Sequence, residues 1–231
     1  MVSGGKSSKR TNGAPVVVGV ADHNGWAMLV TVAAIDGRPT VIDRRRVELI
    51  EKGVPSQPYH HETTALAETE AEQLVRKVKR SVAASTALAL DRLSADLSPQ
   101  YRVSSITVRQ PPLDDLPATV AEVHRSYYVF CRADGMLYHS AIVSGAHARG
   151  WDVLLHPRGE EFARAAEALR VSVDDVERFI NELKSNLGPP WSAEHRHAFA
   201  AAIAGLGEQS RPGALRIEPS AGARARRAST Q

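Results

Sequence analysis

An unbroken run of small and apolar residues, Val16-Val17-Val18-Gly19-Val20-Ala21, ends at Asp22, and two further β-prone segments follow almost at once. A β-branched run of this length, closed by turn residues, reads as a buried strand. The carboxylate stands at its C-terminal end, where open α/β sheets place their ligand sites. The next two segments, residues 26–34 and 40–49, are separated by Asp36-Gly37. Asp-Gly supplies the positive φ angles of a tight hairpin turn, so these two strands are antiparallel neighbours. The chain therefore opens as strand, acid, strand, turn, strand.

The rest of the chain alternates. Residues 51–58 form a Gly- and Pro-rich loop. Residues 63–97 lack Gly and Pro and carry Leu66, Leu74, Val75, Val78 and Val82 at helical spacing, which predicts one long helix. A fourth strand over 101–108 is broken by Arg109-Gln110-Pro111-Pro112. Pro117 suits a helix start. A helix, or a pair of them, is expected from there to about 148, with Ala133-Asp134-Gly135 as an interruption. A fifth strand follows over 151–156. Helices are expected over 160–169, 172–187 and 193–206, the last two capped by Ser172 and Ser192. A hairpin followed by alternating helices and strands predicts a mixed five-stranded sheet.

A chain of 231 residues, 43% hydrophobic and 24% charged, is that of a globular domain with an ordinary core. No apolar run is long enough to span a membrane. The polar start lacks the apolar stretch of a secretory signal. Cys131 is the only cysteine, which excludes an internal disulfide and a multi-cysteine metal site. These features together predict a cytoplasmic protein.

The charge is unevenly spread. Residues 1–15 carry Lys6, Lys9 and Arg10, or +3, and residues 209–231 carry five arginines against Glu218, or +4; the formal total is +3, so residues 16–208 stand at −4. The Gly-, Ser-, Ala- and Arg-rich ends, 1–15 and 207–231, are predicted to be disordered basic tails around a folded domain over 16–206. Their removal is expected to leave the fold intact.

The order of elements resembles the ribonuclease H-like superfamily, and more specifically the RuvC-type Holliday-junction resolvases. Three places carry the resemblance. Val18-Gly19-Val20-Ala21-Asp22 matches a first strand ending in a catalytic Asp. Leu116-Pro117-Ala118-Thr119-Val120 through Trp151-Asp152-Val153-Leu154-Leu155 matches the helix and short fifth strand after strand four. Glu194-His195-Arg196-His197-Ala198-Phe199-Ala200-Ala201 falls where the family starts its last helix with an acid-x-x-acid pair and an Ala-rich continuation, with His197 here in the place of the second acid. Chains of this kind also occur as uncharacterised bacterial proteins.

The resemblance implies a ribonuclease H-like α/β domain with helices on both faces. It also implies two divalent cations held by carboxylates, nucleic acid as partner and a homodimer. Asp22, the one full match, with Glu194 and His197 are the implied metal ligands and catalytic groups, a set that suits one Mn²⁺ or Zn²⁺ better than a pair of Mg²⁺. The acid expected at the end of strand four is missing, since the chain has Val108-Arg109-Gln110 there.

Each candidate has a plainer explanation. Asp22-His23-Asn24-Gly25 is good turn chemistry. Glu194 suits the first turn of a helix through the helix dipole. His195 lies off the face of Glu194, whereas His197 is its i+3 neighbour. Arg109 either pairs with Asp22 or holds a ligand phosphate. His60, His61 and Glu62 form a secondary candidate cluster, whose plainer role is to cap the following helix. Arg44-Arg45-Arg46 suits a phosphate contact or a solvated strand edge, with Arg44 and Arg46 on one face. Two functions stay open: a metal-dependent nuclease acting on structured DNA or RNA, and a catalytically inactive ribonuclease H-like binding or scaffold protein.

Overall fold

The computed structural model describes residues 13–112, 114–210 and 213–217. Five strands form one sheet: β1 (Ala14–His23), β2 (Trp26–Ile35), β3 (Arg38–Glu48), β4 (Tyr101–Arg109) and β5 (Asp152–His156). Their spatial order is β3-β2-β1-β4-β5. β1 pairs with β2, and β2 with β3, antiparallel; β1 pairs with β4, and β4 with β5, parallel. This is the ribonuclease H-like order, a mixed sheet whose first three strands form a meander. Asp36 and Gly37 take φ of 51° and 78° at the second turn, as the sequence requires.

The helices are α1 (Glu68–Leu97), α2 (Val120–Val123), α3 (Tyr127–Ala148), α4 (Glu161–Leu169), α5 (Val173–Leu187) and α6 (Ala193–Gln209). They cover both faces. Alternation along β1 sends Val16, Val18 and Val20 into a core shared with α1 and α3. It sends Val17 into a second core shared with α4, α5 and α6. The second contact is close because it is built from small residues. A Cβ on Gly19 would overlap the Ala198 carbonyl and lie 2.7 Å from the Ala202 nitrogen, so glycine lets the backbones of α6 and β1 touch.

Four expectations change. First, α3 runs unbroken through Ala133-Asp134-Gly135, because Asp134 turns its carboxylate away from its own helix. It accepts the backbone N–H groups of Tyr59 (3.0 Å) and His60 (3.1 Å). Second, α1 begins at Glu68 with Ala67 as its N-cap; Pro58–Glu62 form a separate π-helical turn. His60, His61 and Glu62 therefore do not cap α1. Third, the folded region extends past residue 206. α6 continues to Gln209, Leu215 and Ile217 are buried in the second core, and Arg216 donates its N–H to the Gly37 carbonyl (2.8 Å). Deleting residues 209–231 would thus remove core contacts as well as charge. Fourth, β1 already begins at Ala14, inside the predicted tail. The basic residues Lys6, Lys9, Arg10, Arg211, Arg224, Arg226 and Arg227 lie outside the described residues.

The arginine run on β3 is absorbed by the fold. Arg44 reaches toward α5 and donates to the carbonyls of Leu187, Gly188 and Pro190 at 2.6–3.0 Å. Arg45, on the other face, pairs with Asp43 and with Asp96 of α1. Arg46 lies over the Trp26 ring, 4.0 Å from its centre. No helix among the described residues is long and apolar enough to cross a membrane.

Candidate functional site

The C-terminal ends of β1, β4 and β5 lie side by side, and Asp22, Arg109 and His156 stand on them. This rim is the ligand locus of an open sheet. Two clefts meet there, sharing Asp22, Arg109 and Arg158. The first, of about 360 Å³, runs toward α6 and also takes in His156, Glu161, Glu194 and His197. The second, of about 490 Å³, runs toward α3 and takes in Tyr128, Arg132, Gly135, Met136 and His139.

The residues singled out from the sequence therefore line one rim, but they reach it from two sides. Asp22 shares the face of Val18 and Val20 and turns toward α3; Glu194 and His197 ride on α6, against the opposite face. Each already has a protein partner. The Asp22 carboxylate, almost buried, lies 3.8 Å from the Arg109 guanidinium. His197 Nδ1 lies 2.5 Å from Glu161 Oε1. The Ser192 hydroxyl holds Glu194 below the usual carboxylate range, with the helix backbone adding to the effect. This is the helix-start role that the sequence allowed for it.

Other groups fill out the rim. His156 and Glu161 are both buried, and His156 Nδ1 stands 3.9 Å from Glu161 Oε2. Burial lowers the pKa of His139; Arg109 lowers it further, while Asp22 opposes the shift. His195 is buried, and its Nδ1 accepts the Ser192 backbone N–H (3.2 Å), closing the start of α6. Burial holds its pKa low too. Its role is structural.

His60 and His61 stack on each other at 4.1 Å, and His60 Nδ1 lies 3.8 Å from Cys131 Sγ. Tyr127 and Phe130 pack against His60. Glu62 does not join them to complete a ligand set. Among the described residues, no group of three or more His, Cys, Asp or Glu is arranged to hold a metal ion.

These residues do not fit the pair of divalent cations that the resemblance implies. A two-cation site needs several carboxylates facing one point, with no cation between them. Here a guanidinium occupies the end of β4, the Asp22 carboxylate is paired to it, and the Glu161 carboxylate is paired to a histidine.

Sequence reasoning missed His139, His156, Arg158 and Glu161. Glu161 and His197 are 36 positions apart and on different helices, so nothing local links them. The α3 wall did leave a trace. Tyr128, Cys131, Arg132, Gly135, Met136 and His139 recur at three- and four-residue spacing, which places them on one helix face.

No family model matches the chain, and no curated protein matches it significantly. Two solved structures of RuvC from Thermus thermophilus, one of them in complex with a Holliday junction substrate, align with it at a TM-score of 0.46 and 13% identity. They cover 84% of this chain and 94% and 95% of theirs. The ribonuclease H-like assignment of the fold rests on the sheet order itself.

Proposed function

We propose that this chain is a ribonuclease H-like binding protein that holds a phosphate-bearing partner, nucleic acid in the first instance, at the rim between β1 and β4 without cleaving it. The observation that carries this reading is the Arg109–Asp22 pair. A guanidinium at the end of β4 replaces an acid by a phosphate-binding group and neutralises the one carboxylate that fully matches the nuclease pattern. Arg158, on the turn after β5, lines both clefts and adds a second cation. A cytoplasmic location belongs to the same reading.

The competing reading is a metal-dependent nuclease using Asp22, Glu194 and His197. Its support is that all three line one cleft.

A thermal melt in EDTA, Mg²⁺, Mn²⁺ and Zn²⁺, on wild type and Asp22→Asn, separates the two. Any ligand that binds only the folded state raises the melting temperature by mass action. The binding reading expects no metal-specific rise, and retention of labelled DNA or RNA in EDTA that weakens in Arg109→Gln. A metal-specific rise that disappears in Asp22→Asn, together with strand cleavage, would establish the nuclease instead. Sedimentation of the same samples tests the homodimer.

A further inference from the structure

Resting on the phosphate-binding reading above, we infer that the cleft between β4 and α3 takes a phosphate monoester joined to a planar ring, a nucleotide or the 5′-phosphorylated end of a strand. The cleft holds about 490 Å³, ample for one such group and too small for a duplex. Its lining divides into a charged part and an apolar part.

The charged part is three guanidinia, Arg109, Arg132 and Arg158, against the single carboxylate of Asp22. Arg109 pairs with Asp22 at 3.8 Å, and Arg132 pairs with the exposed Asp114 at 3.6 Å. Arg158 has no ion-pair or hydrogen-bond partner among the described residues. Arg132 also donates an N–H to the Asp114 backbone carbonyl, whereas the Arg109–Asp22 pair is long and leaves N–H groups of Arg109 for a ligand. Arg132 is about nine-tenths buried, and its Nε has no partner. Held largely out of water, the Arg132 guanidinium is a weakly screened positive charge on the cleft wall, which favours an anion there. A terminal phosphate carries more charge than a phosphodiester and exposes three oxygens to this set.

The apolar part is the α3 wall. Tyr128 is 62% exposed, with the Arg132 guanidinium 5.9 Å from its ring centre, Met136 two turns further along the same helix face, and Pro111 and Pro112 also in the lining. An exposed tyrosine beside arginines is a stacking platform for a base. Between Tyr128 and His139 stands Gly135, inside a continuous helix, where it costs helix propensity. No close backbone approach requires it: a Cβ there would meet nothing within 4 Å. The glycine keeps this part of the cleft open.

Gly135 also gives a variant that fills the cleft without threatening the fold. Isothermal titration with adenosine 5′-monophosphate, adenosine, and a short single-stranded oligonucleotide with either a 5′-phosphate or a 5′-hydroxyl would test the inference. Wild type, Gly135→Leu, Arg158→Gln and Tyr128→Ala would be compared, with melting temperatures checked for each. The expected result is binding of the monophosphate, or of the 5′-phosphorylated strand, at least about tenfold tighter than its dephosphorylated counterpart. Gly135→Leu should abolish it, Arg158→Gln should weaken it about tenfold, and Tyr128→Ala about fivefold. Binding of the free monophosphate identifies a nucleotide as the source; binding of the phosphorylated strand alone identifies a strand end. If both strands bind equally and Arg109→Gln weakens both, the rim is a nucleic-acid site but the monoester inference is wrong. If none of the probes binds, both readings fall.

Discussion

The two faces of the sheet are packed by opposite means. On one face, α6 lies directly on β1, backbone against backbone, through Gly19, Ala198 and Ala202. Gly205 makes room in the same helix for side chains of the sheet, since a Cβ there would overlap Thr107 Oγ1 and lie 2.9 Å from Val17 Cγ1. On the other face, α1 and α3 stand off on large side chains, Tyr138, Leu90, Leu93 and Ile142 among them. A buried carboxylate, Asp134, ties that layer to the π-helical turn. Close contact fixes α6, and with it Glu194 and His197, in one position against the strand ends. The larger spacing on the other face leaves room for the cleft beside Tyr128 and Gly135. Small residues thus make the rigid side of the rim, and large ones the open side.

A matched pair of substitutions tests this contrast most severely. Gly19→Ala should cost about 3 kcal/mol or more, since its Cβ meets backbone that cannot yield. Gly135→Ala should instead stabilise by about 0.5–1 kcal/mol through helix propensity. Urea denaturation of both proteins measures the difference. Equal effects would mean that the two faces are packed alike.

Next in size is the Asp134 tie. Asp134→Ala leaves the Tyr59 N–H without an acceptor and leaves His60 with only its 3.2 Å bond to the Gln57 carbonyl; it should destabilise by about 2 kcal/mol. Amide exchange at Tyr59 and His60 should rise with it, while the α6 layer stays protected. The same carboxyl gives a pH dependence. Burial pushes its pKa up to about 6 from the ordinary 3.8, although the two N–H bonds pull the other way. The protonated form therefore favours the folded state. Its stabilising contribution is complete below about pH 4 and is lost as the pH rises through about 6. The urea midpoint of wild type should carry this decline over that window, and Asp134→Asn should lack it.

The smallest effect belongs to the α6 side. Ser172 accepts the Asp175 N–H at the start of α5, and Ser172→Ala should cost about 1 kcal/mol. A larger loss would show that this layer depends on local capping more than on its close contacts.

Much of the fold was legible because its signals are local. The run ending at Asp22, the Asp36-Gly37 turn, and the capping serines Ser172 and Ser192 all sit at element boundaries where the sequence places them. The candidate site was legible in part. Asp22, Arg109, Glu194 and His197 were named from strand ends and helix starts, and all line the rim. Their partners were not legible. Gly135 read as a helix break because glycine ordinarily is one, whereas here open space surrounds it. Leu215 read as part of a tail because two apolar residues among Arg, Gly and Pro make no periodic pattern.

The sequence by itself determined the order and type of the elements, since periodicity, turn chemistry and capping act over a few residues. It also determined that the end of β4 carries a cation where the resemblance implied an acid. Only the tertiary structure decided that Asp22 faces α3 while Glu194 and His197 approach from the far side of the sheet. Only it decided that Glu161 would take His197, and that three arginines would share a cleft with an exposed tyrosine. Those outcomes depend on which side of a strand each residue points to and on how closely a helix settles against it, and packing sets both across the whole domain.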